Sequence, residues 1–256
     1  FPDIVALAGG VPVIVQTGIA QAFKISTTQL EQAITPRTRM LILNSPSNPT
    51  GAIYSRDDLA ELGEVLVRHP QVLIVSDDMY EHILFDDRPF VNILNVCPEL
   101  YGQTVIMNAV SKTYAMTGWR IGFAAGPEDV VAAMVNVQSQ STSNPTSIAQ
   151  VAAEAALNGD QSCIQPMVKA FKERHDFVVP YLNGISGIRC LPSGGAFYAF
   201  ADVREAIRHL HKMKRLEKAD DESFCDFILE TAKVSVVPGS AFGTGGYMRI
   251  SFATSM

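Results

Sequence analysis

The sequence predicts an α/β fold, a mostly parallel sheet flanked by helices (the large domain), followed by a small α+β domain. Three observations carry this. The apolar runs at residues 40–43, 72–75 and 104–110 lack polar alternation, as strands covered on both faces do. Helical patterns separate these runs, which is the β-α-β order of a parallel sheet. Beyond the middle of the chain the texture changes to short strands between charged helices, so the boundary is placed between 1–166 and 167–256.

Taken in order, residues 2–8 have a helical look that stops at Gly9-Gly10, and 11–15 read as a strand. Thr28 and Glu31 form a capping-box pattern for a short helix over 30–34, which Pro36 closes. The strand at 40–43 ends in the turn-rich run NSPSNPTG. Ser55 and Asp58 then cap a helix whose apolar positions Leu59, Leu62, Val65 and Leu66 share one face. The strand at 72–75 runs into Ser76-Asp77-Asp78, and 104–110 into Ser111-Lys112. After a short turn, Gly118-Trp119-Arg120 opens another apolar run, 121–125.

Helices are predicted over 127–137 and 147–157, then one long helix over 163–182 with Pro166 in its first turn and Pro180 bending or ending it. The strands expected after that lie at 188–191, 196–201, 234–237 and 248–252, with helices over 203–218 and 223–233. In the last strand Met248, Ile250 and Phe252 face the core, which puts Arg249 on the opposite face with Tyr247 and Ser251.

A chain of 256 residues with 47% hydrophobic content can bury a large core. A net charge of −6 argues against a nucleic-acid partner, which calls for a clustered basic face. No apolar run approaches the length of about 20 residues that spans a bilayer, so no membrane partner is expected. The four cysteines include no C-x-x-C pair and read as reduced, which fits a cytoplasmic protein. His209 and His211, two apart on a helix, do not share a face and are not read as metal ligands.

Lys112 is the residue that asks for a reason, because it stands between two runs that want burial. From the residues alone, a solvated lysine on a turn is the simpler reading. Desolvation, however, lowers a lysine's pKa and makes its amine able to form an imine with a carbonyl. Arg120, eight residues on, is a fixed cation whose planar fork suits a phosphate. Asp77 and Tyr80 in D-D-M-Y can be a helix cap and a packing aromatic, Asn48 a turn residue and Arg249 a solvated strand residue. The glycines at 243, 245 and 246 precede a strand and so are not a dinucleotide loop.

The run S-K-T-Y-A-M-T-G-W-R-I-G resembles the signature around the cofactor lysine of class I/II aminotransferases, pyridoxal-phosphate enzymes of fold type I. It is most similar to the bacterial aspartate aminotransferase branch. The resemblance implies that Lys112 carries pyridoxal 5'-phosphate covalently and moves the catalytic proton, with Ser111 beside the cofactor and Arg120 on its phosphate. It implies that Asp77 sits at the pyridine nitrogen, Tyr80 at the ring oxygen, and Asn48 of N-P-T-G at that oxygen and the substrate. Asp78 is the neighbouring carboxylate but has the wrong spacing to Tyr80. Arg249 is implied to grip the substrate α-carboxylate as a bidentate pair. Ala109 departs from the family pattern, which has Gly or Ser there, and offers the phosphate no hydroxyl.

The implied activity is transfer of an amino group from an L-amino acid, aspartate first, to a 2-oxo acid, 2-oxoglutarate first, in a ping-pong mechanism. The partners implied are those small molecules and a second copy in a homodimer. A β-lyase or decarboxylase on the same cofactor is the enzymatic alternative, and a non-catalytic ligand-sensing domain the other. The chain is expected to be part of a longer enzyme. The resemblance adds about a hundred residues in front, which would bring the phosphate cup and the ring-stacking aromatic, and a final helix behind.

Overall fold

A computed structural model describes residues 1–86 and 88–255. Along the chain the elements are α1 (Pro2–Leu7), α2 (Thr27–Ala33), β1 (Met40–Asn44), α3 (Arg56–Val67), β2 (Leu73–Asp77), α4 (Ile93–Val96), β3 (Thr104–Ala109), α5 (Val110–Thr113) and β4 (Gly122–Ala125). They continue as α6 (Glu128–Ser141), α7 (Ser147–Asn158), α8 (Ile164–Asn183), β5 (Arg189–Cys190), β6 (Tyr198–Asp202), α9 (Arg204–Lys212), α10 (Asp221–Ala232), β7 (Val237–Pro238) and β8 (Tyr247–Ser251).

The strands form two four-stranded sheets. The first has the order β1-β2-β3-β4, with β1, β2 and β3 parallel and β4 antiparallel to β3. This is the mostly parallel sheet that the unbroken apolar runs predict. Burial is deepest on β2, whereas β1 and β4 at the two edges stay partly or largely exposed. Cover on both faces therefore holds for the middle of the sheet and not for its rims. The second sheet has the order β5-β6-β8-β7 and is antiparallel throughout, as the short strands after the long helix imply.

The α3 cap is as predicted: the Ser55 hydroxyl accepts from the Asp58 amide while the Asp58 carboxylate accepts from the Ser55 amide. Such a reciprocal cap contributes about 1 kcal/mol. Leu59, Leu62, Val65 and Leu66 are all buried, packing with Leu30, Leu43 and Ile74, and each contributes roughly 1.5–3 kcal/mol by leaving water. A second core joins Tyr80 and Ile83 to side chains of α8, β6, α10 and β8, including Val179, Ala201, Phe224 and Met248.

Five expectations need correction. Residues 11–15 form no strand; Val11 and Val13 are 86% and 72% exposed and have no partner strand among the described residues. Helix α2 is capped earlier than read, by Ser26 with Gln29 instead of Thr28 with Glu31. Helix α9 stops at Lys212, well short of 218, where the chain turns through Lys214 at φ +57°. The strand read at 234–237 shrinks to Val237–Pro238, following the left-handed Lys233 that ends α10. Tyr247 is not on a solvated face: it stacks on Phe200 at 4.9 Å and meets Phe23 at 5.8 Å.

No helix among the described residues is long and apolar enough to cross a membrane. His209 and His211 are both exposed, and no group of metal-ligating side chains gathers among the described residues.

Candidate active site

The carboxyl ends of β1, β2 and β3 open on one edge of the first sheet, where ligands of parallel sheets gather. Asn44 ends β1 directly opposite Asp77, the last residue of β2. Its side-chain amide donates to the Asp77 carbonyl at 3.0 Å, and its oxygen accepts from the Asn48 amide at 2.8 Å. One side chain thus fixes two strand ends and the loop carrying Asn48.

That loop is clamped from the other side. Gly51, at φ +66°, offers its carbonyl to the amides of Gly194 and Gly195 at 3.0 and 3.3 Å. The segment 192–197 also bonds residues 83–85, with the Ala196 amide on the Ile83 carbonyl and the Phe85 amide on the Gly194 carbonyl, each at 2.9 Å. The strap delivers Phe197 and Tyr198 to the site. A Cβ on Gly51 would stand 2.3 Å from the Ser193 Cβ and one on Gly195 2.4 Å from the Ile83 carbonyl, so both positions need glycine.

The two adjacent carboxylates differ. Asp78, 2% exposed, accepts from Ser76 Oγ at 2.6 Å and from Asn92 Nδ2 at 2.8 Å; burial, only partly offset by those bonds, pushes it up to about 6. Asp77 is buried too, yet among the described residues its carboxylate accepts only from the Met79 amide, at 3.3 Å. Burial raises its pKa and no side-chain cation offsets the effect. Asp78 is thus committed to internal bonds, and Asp77 is a buried carboxylate short of a cation.

Tyr80, buried three residues beyond Asp77, has its hydroxyl 2.9 Å from that of Tyr198. Burial, then the Tyr198 contact, raises its pKa, and the nearby charge of Arg249 opposes the rise. Lys112 lies on α5, half-buried, with Nζ 5.9 Å from the centre of the Phe197 ring. Burial lowers its pKa, reinforced by the charges of Arg120 and Arg249. Ser111 is buried, and its carbonyl accepts from Thr117 Oγ1 at 3.0 Å. Arg120 follows the Thr117–Trp119 turn at φ +56°, exposed, with Nη1 on the Thr117 carbonyl at 2.9 Å.

Arg249 completes the site from β8. Its Nη1 donates to Asn48 Oδ1 at 2.8 Å, and its guanidinium lies between the rings of Tyr198 and Phe242, 4.6 and 4.8 Å from their centres. Its Nε is buried and has no partner among the described residues. None of Lys112, Arg120 and Arg249 pairs with a carboxylate among the described residues. Like charges brought together without counter-ions call for an anion.

The structure therefore gathers Asn48, Asp77, Tyr80, Lys112, Arg120 and Arg249 at one edge, with Ser111 buried beside Lys112. Sequence reasoning missed Asn44 and Tyr198. Asn44 was legible only as part of a turn-rich run, and Tyr198 only as a strand aromatic in P-S-G-G-A-F-Y.

The family model for aminotransferase class I and II matches residues 1–256. The aspartate/prephenate aminotransferase of Nitrosomonas europaea is 61% identical over 256 residues, which are 100% of this chain and 64% of that protein. The crystal structure of the aspartate aminotransferase from Rhizobium meliloti superposes with a TM-score of 0.90 at 46% identity, covering 99% of this chain and 63% of that one. An aromatic aminotransferase from Pyrococcus horikoshii gives 0.89 at 37% identity, over 99% and 65%. This chain spans about 64% of the length of the curated relatives it matches.

Pyridoxal phosphate, the cofactor of such enzymes, fits the residues present. Its phosphate matches the unpaired cations, its protonatable ring nitrogen matches the cation-poor Asp77, and its aldehyde matches an amine whose proton is held weakly.

Proposed function

We propose, on the premise that the chain belongs to the class I and II aminotransferases, that it carries the catalytic core of an enzyme moving an amino group from an L-amino acid to a 2-oxo acid. The observation that carries the reading is the Arg249 guanidinium. It is oriented by Asn48, sandwiched between two rings and left with an unpartnered buried Nε, in electrostatic reach of a lysine with a depressed pKa.

Bound pyridoxal phosphate supplies an electron sink for the electrons released at the substrate α-carbon. Lys112 would hold the cofactor covalently and, once freed by the incoming amino acid, would move the proton from the substrate α-carbon to the cofactor C4′, as net transfer of the amino group requires. Its depressed pKa favours the neutral amine that both tasks require. Asp77 keeps a proton on the ring nitrogen, and that cation in turn would relieve the cost of burying the carboxylate. Tyr80 and Asn48 donate to the ring oxygen, and Arg120 with Ser111 holds the phosphate end. Arg249 orients the α-carboxylate so that the α-hydrogen faces Lys112.

Aspartate is the proposed donor and 2-oxoglutarate the acceptor. The names of similar proteins support aspartate and make prephenate a second acceptor to assay. The division into 1–166 and 167–256 belongs to the same proposal and is supported by the two separate sheets. A homodimer is proposed on the apolar side chains left open on α6 and α7, including Val135, Val137, Ile148 and Val151. A reducing, cytoplasmic setting is supported by four unpaired cysteines.

The test is borohydride reduction of the cofactor-loaded protein followed by peptide mass mapping. The pyridoxyl adduct is expected on Lys112, and an adduct on Lys24 or Lys169 overturns the reading. Loss of the cofactor absorbance on adding L-aspartate, restored by 2-oxoglutarate, then separates a transferase from a lyase or a mere binder.

A further inference from the structure

We propose that Tyr198 is a positioning residue for this site: its hydroxyl donates to the Tyr80 oxygen, and its ring carries the Arg249 guanidinium. The inference rests on the reading in which Tyr80 faces the cofactor ring oxygen.

Tyr198 opens β6 and is buried, with its hydroxyl 2.9 Å from that of Tyr80 and its ring centre 4.6 Å from the Arg249 guanidinium. It touches both Tyr80, assigned to the cofactor, and Arg249, assigned to the substrate carboxylate. The two phenols lie edge to face, ring centres 5.9 Å apart, so their hydroxyls meet directly.

Between two phenols either oxygen can donate. Without the cofactor the contact raises the Tyr80 pKa, as donation from Tyr80 does, and the loaded site turns the bond round so that Tyr198 donates. A guanidinium over a phenol ring draws electron density from it and makes its O–H the better donor. Tyr80 must keep its own proton for the ring oxygen, so its lone pair is what it can offer Tyr198. A hydroxyl that accepts one bond donates more strongly in the next, because bonds in a chain polarise one another. The chain Tyr198 to Tyr80 to ring oxygen therefore strengthens the last donation without touching the cofactor. The other side of the ring's task is steric. Tyr198 and Phe242 together fix the guanidinium plane, and the Asn48 bond fixes its rotation.

A stronger donor to an ionised oxygen favours the less protonated form of the loaded site, so it holds down the pH midpoint of the cofactor absorbance. In Tyr198→Phe, which keeps the ring, that midpoint should rise by about half a pH unit to one unit, the size of one neutral hydrogen bond. Replacing Tyr198 with 3-fluorotyrosine, a more acidic phenol, should move it the opposite way. Measured below both midpoints, where either protein is fully protonated, affinity for maleate, a dicarboxylate with no amino group to react, should be the same in Tyr198→Phe. It should fall about three- to thirtyfold in Tyr198→Leu, which removes the cation–π contact.

The measurements are spectrophotometric pH titrations and maleate titrations of the loaded protein, with near-ultraviolet circular dichroism as the fold control. A Tyr198→Phe midpoint that stays or falls while Tyr80→Phe raises it overturns the inference alone. A midpoint that Tyr80→Phe also leaves in place overturns the reading on which it rests. Full maleate affinity in a folded Tyr198→Leu overturns the second task of the ring. If Tyr198→Leu fails to fold, Tyr198→Met puts the same question to the ring.

Discussion

On the wall formed by the ends of β1, β2 and β3, the reactive groups are short of partners. The Lys112 amine has no hydrogen bond or ion pair among the described residues, and the Asp77 carboxylate accepts one weak bond, at 3.3 Å. On the opposite wall, formed by β6 and β8, Arg249 is stacked on two rings and bonded to Asn48. The difference follows from what each wall must do. A group that changes its bonding during a reaction gains nothing from a rigid partner, whereas a fixed cation that only recognises a carboxylate benefits from being immobile.

The largest break in this comparison should come from Asp77→Ala. Cofactor should still bind, but the single-turnover reaction with aspartate, followed by stopped-flow absorbance, should slow about a hundred- to a thousandfold. Asp78→Ala losing more in the chemical step than Asp77→Ala would reverse the roles of the two carboxylates.

Gly51→Ala strikes the seam where the walls meet. The new methyl enters at positive φ and 2.3 Å from the Ser193 Cβ. Strain and overpacking together should remove about 2–4 kcal/mol of stability by urea unfolding. A loss within a few tenths of that of an exposed-loop control substitution would show the strap to be slack.

Arg249→Lys keeps the charge and loses the planar fork. Affinity for every amino-acid substrate should fall together, about tenfold to a hundredfold in equilibrium titrations. A loss confined to dicarboxylic substrates would mean that Arg249 reads the side chain instead.

The smallest effect belongs to Asp78. Its folded pKa, about 6, lies above its value in an unfolded chain, so the folded state holds the extra proton between the two. Stability is therefore greatest below about pH 4 on this account and is lost as pH rises through 6. Asp78→Asn should flatten that slope by on the order of 1–3 kcal/mol in urea unfolding between pH 4 and 7. An unchanged slope would detach Asp78 from the pH response.

Much of the first wall was legible because its signals are local. A cap such as Ser55 with Asp58 sits within four residues, and the runs ending at Asn44 and Asp77 declare buried parallel strands by their lack of alternation. The family motifs did the rest for Lys112 and Arg120. Tyr198 escaped because nothing near it in sequence distinguishes a core aromatic from one bonded to Tyr80, which lies 118 positions away. The strand expected at 11–15 failed for the complementary reason. Val11 and Val13 have strand propensity, but propensity forms no ladder where no strand among the described residues lies beside them.

The bonds that close the site join residues very far apart along the chain: Asn48 meets Arg249 across 201 positions, and Tyr80 meets Tyr198 across 118. Closing loops of that size costs entropy that only later contacts return. During synthesis the reactive wall with Lys112 emerges well before β8 does, so the lysine waits uncovered while the chain lengthens. A cut between α8 and β8 separates the recognition half, which carries Arg249, from the reactive half, which carries Lys112.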